Sequence, residues 1–280
     1  RIAMLETIRE YALEQLQAGG EEAAIGARHA AYYLGLAEAA VPLLRGAEQV
    51  RWLDWLEAEH DNLRAAGDWF QHAGRSEEEL RLAAALHWFW DRRGYLEEGR
   101  VRIRRALDAT AHVEEGAEAK NVERLRARAW ALIGAAALAF DQGDYGGVGA
   151  AAGESAQLFE QLGDRLDDRG GMALAELRLA FVASAAEPQR TGDLLAAALM
   201  HAAAAGYSWF RGLALFVAAQ ASLFGRGDDA AARVYIAEAL PLLESSGDPY
   251  QLAHGLGTLG LVELAAGDFR AARAALERGL

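Results

Sequence analysis

The chain has 280 residues, 52% of them hydrophobic, with no cysteine, 28 basic and 41 acidic side chains and a net charge of −13. That charge repels the phosphate backbone that supplies most nucleic-acid affinity, so no direct nucleic-acid contact is expected. The lack of thiols excludes a disulfide framework, thiolate zinc sites, cysteine nucleophiles and thiol redox chemistry, and suits a cytoplasmic location.

The sequence starts at Arg1 inside an apolar periodic run and stops at Gly279-Leu280 inside another, which reads as an excised piece of a longer protein. No basic segment followed by an apolar core and a small-residue cleavage site opens it. Met4, Leu5, Ile8, Tyr11, Leu13 and Leu16 recur at helical spacing, as do Leu53, Leu56, Leu63 and Trp69-Phe70, and no β-type alternation stands out. Prolines occur only at 42, 188, 241 and 249, between stretches rich in alanine, leucine, glutamate and arginine, the composition of helix interiors. The longest uncharged stretch, residues 194–210, is mostly alanine. It falls short of the roughly 20 strongly apolar residues of a membrane helix, so no membrane partner is expected.

Short breaks recur with a period in the second half. Gly143-Asp144-Tyr145, Gly227-Asp228-Asp229 and Gly267-Asp268-Phe269 begin 84 and then 40 residues apart. Gly163-Asp164 and Gly247-Asp248 form an interleaved series, with Gly206-Tyr207 nearly midway. Glycine suits the left-handed residue that ends a helix, and aspartate satisfies the free amides that begin the next. One turn is hidden around Glu187–Asp193, where Pro188 is expected to stop a helix and leave a longer loop. Alternating turns at half a period of about 40 residues predict stacked helical hairpins. The predicted fold is all-α: a right-handed α-solenoid of antiparallel hairpins. Residues 1–20 are a preceding module's tail or a first helix, 21–121 irregular hairpins, and 122–280 repeats of about 40–42 residues.

The last unit resembles the tetratricopeptide pattern in Leu256, Leu259-Gly260, Gly267-Asp268-Phe269, Ala272 and Leu276, with Gly260 and Ala272 small enough for close helix approach. The units around Leu132, Gly143-Asp144-Tyr145 and Val148, and around Phe216, Ala219, Gly227-Asp228, Ala232 and Ile236, fit it less closely. The first part carries Met4-Leu5-Glu6-Thr7-Ile8-Arg9-Glu10-Tyr11-Ala12-Leu13, Arg28-His29-Ala30-Ala31-Tyr32-Tyr33, Trp52-Leu53, Leu56-Glu57-Ala58-Glu59-His60-Asp61-Asn62-Leu63-Arg64-Ala65-Ala66 and Leu86-His87-Trp88-Phe89-Trp90-Asp91-Arg92-Arg93-Gly94. These segments resemble the region that follows the NTPase and winged-helix modules of STAND-class regulators, including LuxR-type and SARP-type transcriptional regulators. The resemblance implies a sensor arm that takes a small-molecule inducer or a protein partner, the upstream NTPase domain included. No phosphate loop accompanies it, and the single lysine, Lys120, lies outside any such motif.

Residues suited to chemistry are sparse, and neither an enzymatic role nor a cofactor or metal is expected. Gly147, Gly149 and Gly153 mimic a dinucleotide fingerprint, but no strand precedes them, so they read as helix-packing glycines. Glu57, His60 and Asp61 share one helical turn and read as a structural cluster with Arg64. The histidines at 29, 72, 87, 112, 201 and 254 are scattered without nucleophile or ligand spacing. Arg100, Arg102, Arg104 and Arg105, with Arg92 and Arg93 nearby, form the densest basic patch, a solvated face or a grip for a neighbouring domain. Most aromatics read as packing between hairpins. Trp130, Phe140, Phe224 and His254 fall at pattern offsets that face the inner surface, the candidate groove for a ligand or partner. The competing reading is a stand-alone adaptor that grips a peptide end, but one lysine and two asparagines, Asn62 and Asn121, do not make the usual carboxylate clamp.

Overall fold

The computed structural model describes residues 6–111, 118–163, 168–184 and 186–280. Met4, Leu5, His112 and Asp164, with the side chains of Leu13 and Lys120, lie outside them. The described residues form helices only: the fold is an all-α solenoid of stacked hairpins.

Helices α1 (Glu6–Ala18), α2 (Glu22–Ala40), α3 (Gln49–Ala58) and α4 (His60–His72) begin the chain, with a short 3-10 turn, Leu43–Arg45, between α2 and α3. Five hairpins follow. They pair α5 (Ser76–Arg93) with α6 (Leu96–Ala109), α7 (Glu118–Asp141) with α8 (Tyr145–Leu162), and α9 (Arg169–Ala183) with α10 (Pro188–Ala204). The last two pair α11 (Ser208–Gln220) with α12 (Asp229–Ser246), and α13 (Pro249–Ala265) with α14 (Phe269–Arg278). Each first helix also packs on the first helix of a neighbouring hairpin, so the hairpins stack into one array.

The Gly-Asp turns work as the residue types dictate. Gly143, Gly227, Gly247 and Gly267 take positive φ, where a side chain would be strained. Asp144, Asp228, Asp248 and Asp268 each cap the next helix by accepting from a first-turn amide, worth about 1 kcal/mol apiece. Asp168 caps α9 in the same way through Gly171 N.

Two sequence expectations fail. The turn around residues 187–193 is short, because Pro188 opens α10 at its first position instead of ending a helix, and Gly192-Asp193 lies inside α10. Proline's missing N–H costs nothing there, since that amide has no partner in a first turn. Nor do Gly149 and Gly153 serve close packing: an added Cβ would lie 3.8 Å from Val182 at Gly149 and would meet nothing within 4 Å at Gly153. Gly260 does mark a close approach, its added Cβ falling 2.7 Å from Leu276.

Candidate functional site

The array winds so tightly that its first and last hairpins meet. Trp88 of α5 stands edge-on to Trp209 of α11 at 5.6 Å, and the Arg92 guanidinium lies 3.5 Å over the Tyr250 ring of α13. The first helices α5, α7, α9, α11 and α13 therefore enclose an interior. The connection between α2 and α3 enters it beside the larger of two cavities.

Pro42 cannot continue α2, and the chain turns inward through Leu43–Arg45, burying Leu44 and Arg45. Gln49, at the start of α3, donates from Nε2 to Leu44 O at 2.7 Å and to Asp248 Oδ1 at 3.0 Å. Asp248 also accepts from Trp209 Nε1 at 2.8 Å, and the Tyr207 hydroxyl donates to Arg45 O at 3.0 Å. The loop is thus fastened to the C-terminal hairpins. Burial lowers the Arg45 guanidinium to about 10, against the opposing pull of Asp168 and Tyr207.

On one side of Arg45 lies a cavity of about 620 Å³. Its wall holds the ion pair of Arg81 and Glu38 (2.8 and 2.9 Å), together with Glu123. Asp168 in the same wall accepts from Arg126 Nε at 3.0 Å and from Trp130 Nε1 at 2.8 Å. A second cavity, of about 140 Å³, has apolar walls, including Ile133, Leu174 and Phe216, and convergent polar groups. Asp91, Arg92, Asp141, Arg178, Tyr250 and His254 meet there. Burial opposes ionisation of Asp91, but Arg92, a hydrogen bond from Asp141 and Arg178 outweigh it and hold its carboxyl below the ordinary range. Asp141 goes the other way: burial and the neighbouring Asp91 push it up to about 7, so the pair shares a proton. Burial lowers Arg178, whose guanidinium lies 5.0 Å over the Phe140 ring.

His87 borders both cavities. Its Nδ1 lies 2.7 Å from Ala84 O, burial lowers its pKa to about 4, and the buried Nε2 has no partner among the described residues. A neutral ring donating from Nδ1 leaves Nε2 an acceptor at the boundary.

Of the four inner-surface candidates, Trp130 lines the larger cavity, and Phe140 and His254 line the smaller, where burial lowers the His254 imidazole. Phe224 lines neither. Helix α11 widens into a π-helical turn over Ala221–Arg226, which shifts the register and leaves Phe224 61% exposed. The basic residues of α6 are mostly committed within the chain. Arg100 pairs with Asp144 (2.8 Å), Arg102 with Glu98 (3.1 Å) and Asp68 (3.0 Å), and Arg105 with Glu79 (2.6 Å), while Arg104 is exposed. Arg92 is no part of that surface: it turns inward beside Asp91. His60 packs on Tyr95 and Phe89 with Nε2 3.4 Å from Glu98, and no cluster of three metal-ligating side chains occurs among the described residues. Nor is any helix among them long and apolar enough to cross a membrane.

No protein-family model matches the chain. A 99-residue stretch is 42% identical to proteins of Mycobacterium bovis and Mycobacterium tuberculosis that carry the provisional name HTH-type transcriptional regulator. That match takes in 35% of this chain and 11% of those proteins, so the chain corresponds to a small part of their length. In structure it resembles BtubC (BKLC) from P. vanneervenii, with a TM-score of 0.55 over 82% of this chain and 88% of the other. At 16% identity that likeness is one of fold.

Proposed function

We propose that this chain is the sensing and partner-binding arm of a cytoplasmic STAND-class transcriptional regulator of the tetratricopeptide type. A ligand or protein partner taken by the array shifts an autoinhibited assembly toward an active one. The provisional names of the mycobacterial relatives support a regulatory setting, and the motif segments of residues 4–13, 28–33 and 56–66 support the STAND assignment.

The observation that carries the sensing reading is the small cavity, in which Asp91, Asp141, Arg178, His87 and Tyr250 converge on apolar walls. Few polar groups on a largely apolar concave surface, with perturbed titration among them, is the arrangement of a small-molecule site. The carboxyl pair both donates and accepts, Arg178 donates and His87 accepts, which fits a small polar inducer carrying donors and acceptors of its own.

The test is a thermal-shift screen of this chain against a metabolite panel and against the separately expressed upstream NTPase domain. The sensing reading expects a saturable rise in Tm with a small molecule, lost on Arg178→Ala. A rise that survives Arg178→Ala puts the site elsewhere. A rise with the NTPase domain alone makes the array an autoinhibitory arm instead of a sensor.

A further inference from the structure

Among the described residues, aromatic rings and no acceptor for its Nε mark where Arg45 sits. Its guanidinium carbon lies 5.0 Å from the ring centre of Trp130, 5.3 Å from Phe210, 5.4 Å from Trp209 and 5.6 Å from Trp88. Its Nε is buried without a partner, and no carboxylate lies within ion-pair distance of it among the described residues. Four aromatic rings from α5, α7 and α11 thus surround one cation.

Such a cage is selective by its chemistry. A guanidinium is planar, delocalised and weakly hydrated, and it stacks on ring faces. An ammonium is compact and strongly hydrated, and gives up more on entering. The cage also opens onto the larger cavity, whose wall contains Arg45, Trp130 and Phe210 together with Glu38, Glu123 and Asp168. The same wall carries Arg81, paired with Glu38, Arg126, paired with Asp168, and Arg169, so it brings no excess negative charge and selectivity rests on the rings.

The residue that fills the cage is also a fastener. Arg45 belongs to the loop that joins hairpins distant in sequence, through Tyr207 at a separation of 162 residues and through Gln49 to Asp248 at a separation of 199. Those bonds are made by the Arg45 carbonyl and by Gln49, and the side chain adds its contacts with the Trp209 and Phe210 rings to the same junction, so displacing it removes part of what holds the loop. Tethering favours the internal occupant, so a free guanidinium competes only at a concentration above the effective concentration of the Arg45 side chain.

We propose that the cage of Trp88, Trp130, Trp209 and Phe210 is a guanidinium-binding site occupied in cis by Arg45. A small guanidinium compound entering from the larger cavity displaces Arg45 and frees the loop 41–48 from the C-terminal hairpins. The inference stands on the cage alone, whether or not the array serves a regulator.

Two measurements test it. In Arg45→Ala the empty cage should bind ethylguanidinium chloride, read as a saturable change in tryptophan fluorescence, about tenfold more tightly than ethylammonium chloride. Because the chain has no cysteine, spin labels on Ala47→Cys and Ser245→Cys, both exposed, report the junction with Arg45 in place. A single short distance is expected without probe, joined by a longer one that grows saturably with ethylguanidinium and not with ethylammonium. A folded Arg45→Ala chain that does not tell the two cations apart overturns the site. A spin-label distance that stays constant up to the highest ethylguanidinium concentration leaving the circular dichroism native overturns the displacement. That second result decides the matter even if Arg45→Ala does not fold.

Discussion

Asp248 offers a direct measure of whether the two ends of the array are joined in solution. Its side chain, 1% exposed, accepts from Gln251 N at 3.1 Å, Gln49 Nε2 at 3.0 Å and Trp209 Nε1 at 2.8 Å. Asp248→Ala removes a helix cap worth about 1 kcal/mol. It also leaves two buried donors, on Gln49 and Trp209, without this acceptor, at about 1–3 kcal/mol each. Relief of the carboxylate's own desolvation offsets part of this. The net loss should be about 3 kcal/mol.

A single loss of that size would not separate a broken cap from a broken junction, whereas a double-mutant cycle with Gln49→Ala would. Gln49 lies 199 residues away in sequence and meets Asp248 only if the loop is seated. The expected coupling is about 1–2 kcal/mol, since the hydrogen bond is buried and its acceptor charged. Urea unfolding followed by both tryptophan fluorescence and far-UV circular dichroism supplies the numbers, and coincident transitions with a shared m-value license the bookkeeping. Stacked hairpins can unfold in parts, which is why both probes are needed. Losses that add to within about 0.3 kcal/mol would mean that the loop does not sit on the α13 turn.

Asp141, raised to about 7 mainly by burial and then by Asp91, holds a proton in the folded chain that the unfolded chain releases near pH 4. Its contribution is therefore full below that lower pH and lost as pH rises through about 7. A urea series across this window should show the gap between wild type and Asp141→Asn changing in that direction, and a constant gap would contradict the shared proton. Gly153→Ala should stabilise the chain by up to about 1 kcal/mol, because the added methyl meets nothing and α8 gains helix propensity; a lower Tm would show hidden crowding. Phe224→Ala should change stability by less than about 0.5 kcal/mol. Trp130→Ala, which removes a cage wall and the bond to Asp168, should cost at least about 2 kcal/mol in the same denaturation assay.

The hairpin array was legible where its chemistry is local. A glycine at positive φ followed by a capping aspartate completes its work within about five residues, so Gly143-Asp144 and Gly267-Asp268 could be read directly. Pro188 was ambiguous for the same local reason, since proline is tolerated in a first turn and excluded from an interior, and only the neighbouring elements decide. The α5–α6 hairpin turns at Gly94 but follows it with Tyr95, so it carries no Gly-Asp mark. Phe140 and His254 came to the interior because helical offsets hold through α7 and α13. Phe224 did not, because no sequence pattern announces the π-helical turn before it. Arg45 was invisible for a stronger reason: its four ring partners come from three helices, and no periodicity encodes a contact across 164 or 165 residues.

That last failure bears on function. In an open solenoid the inner face of each first helix meets water, and residues such as Asp91, Arg92, Asp141 and Arg178 are ordinary there. Here the interior closes, so the same residues lose water and must answer to one another: the carboxyl pair shares a proton, Arg92 lies over Tyr250, and Arg178 lies over Phe140. Closure and interior electrostatics are therefore two views of one equilibrium. Parting Arg92 from Tyr250 would rehydrate the Asp91–Asp141 pair, lower the affinity of Asp141 for its proton and weaken any ligand bound in that form. By reciprocity, a ligand that binds the protonated pair must favour the closed array.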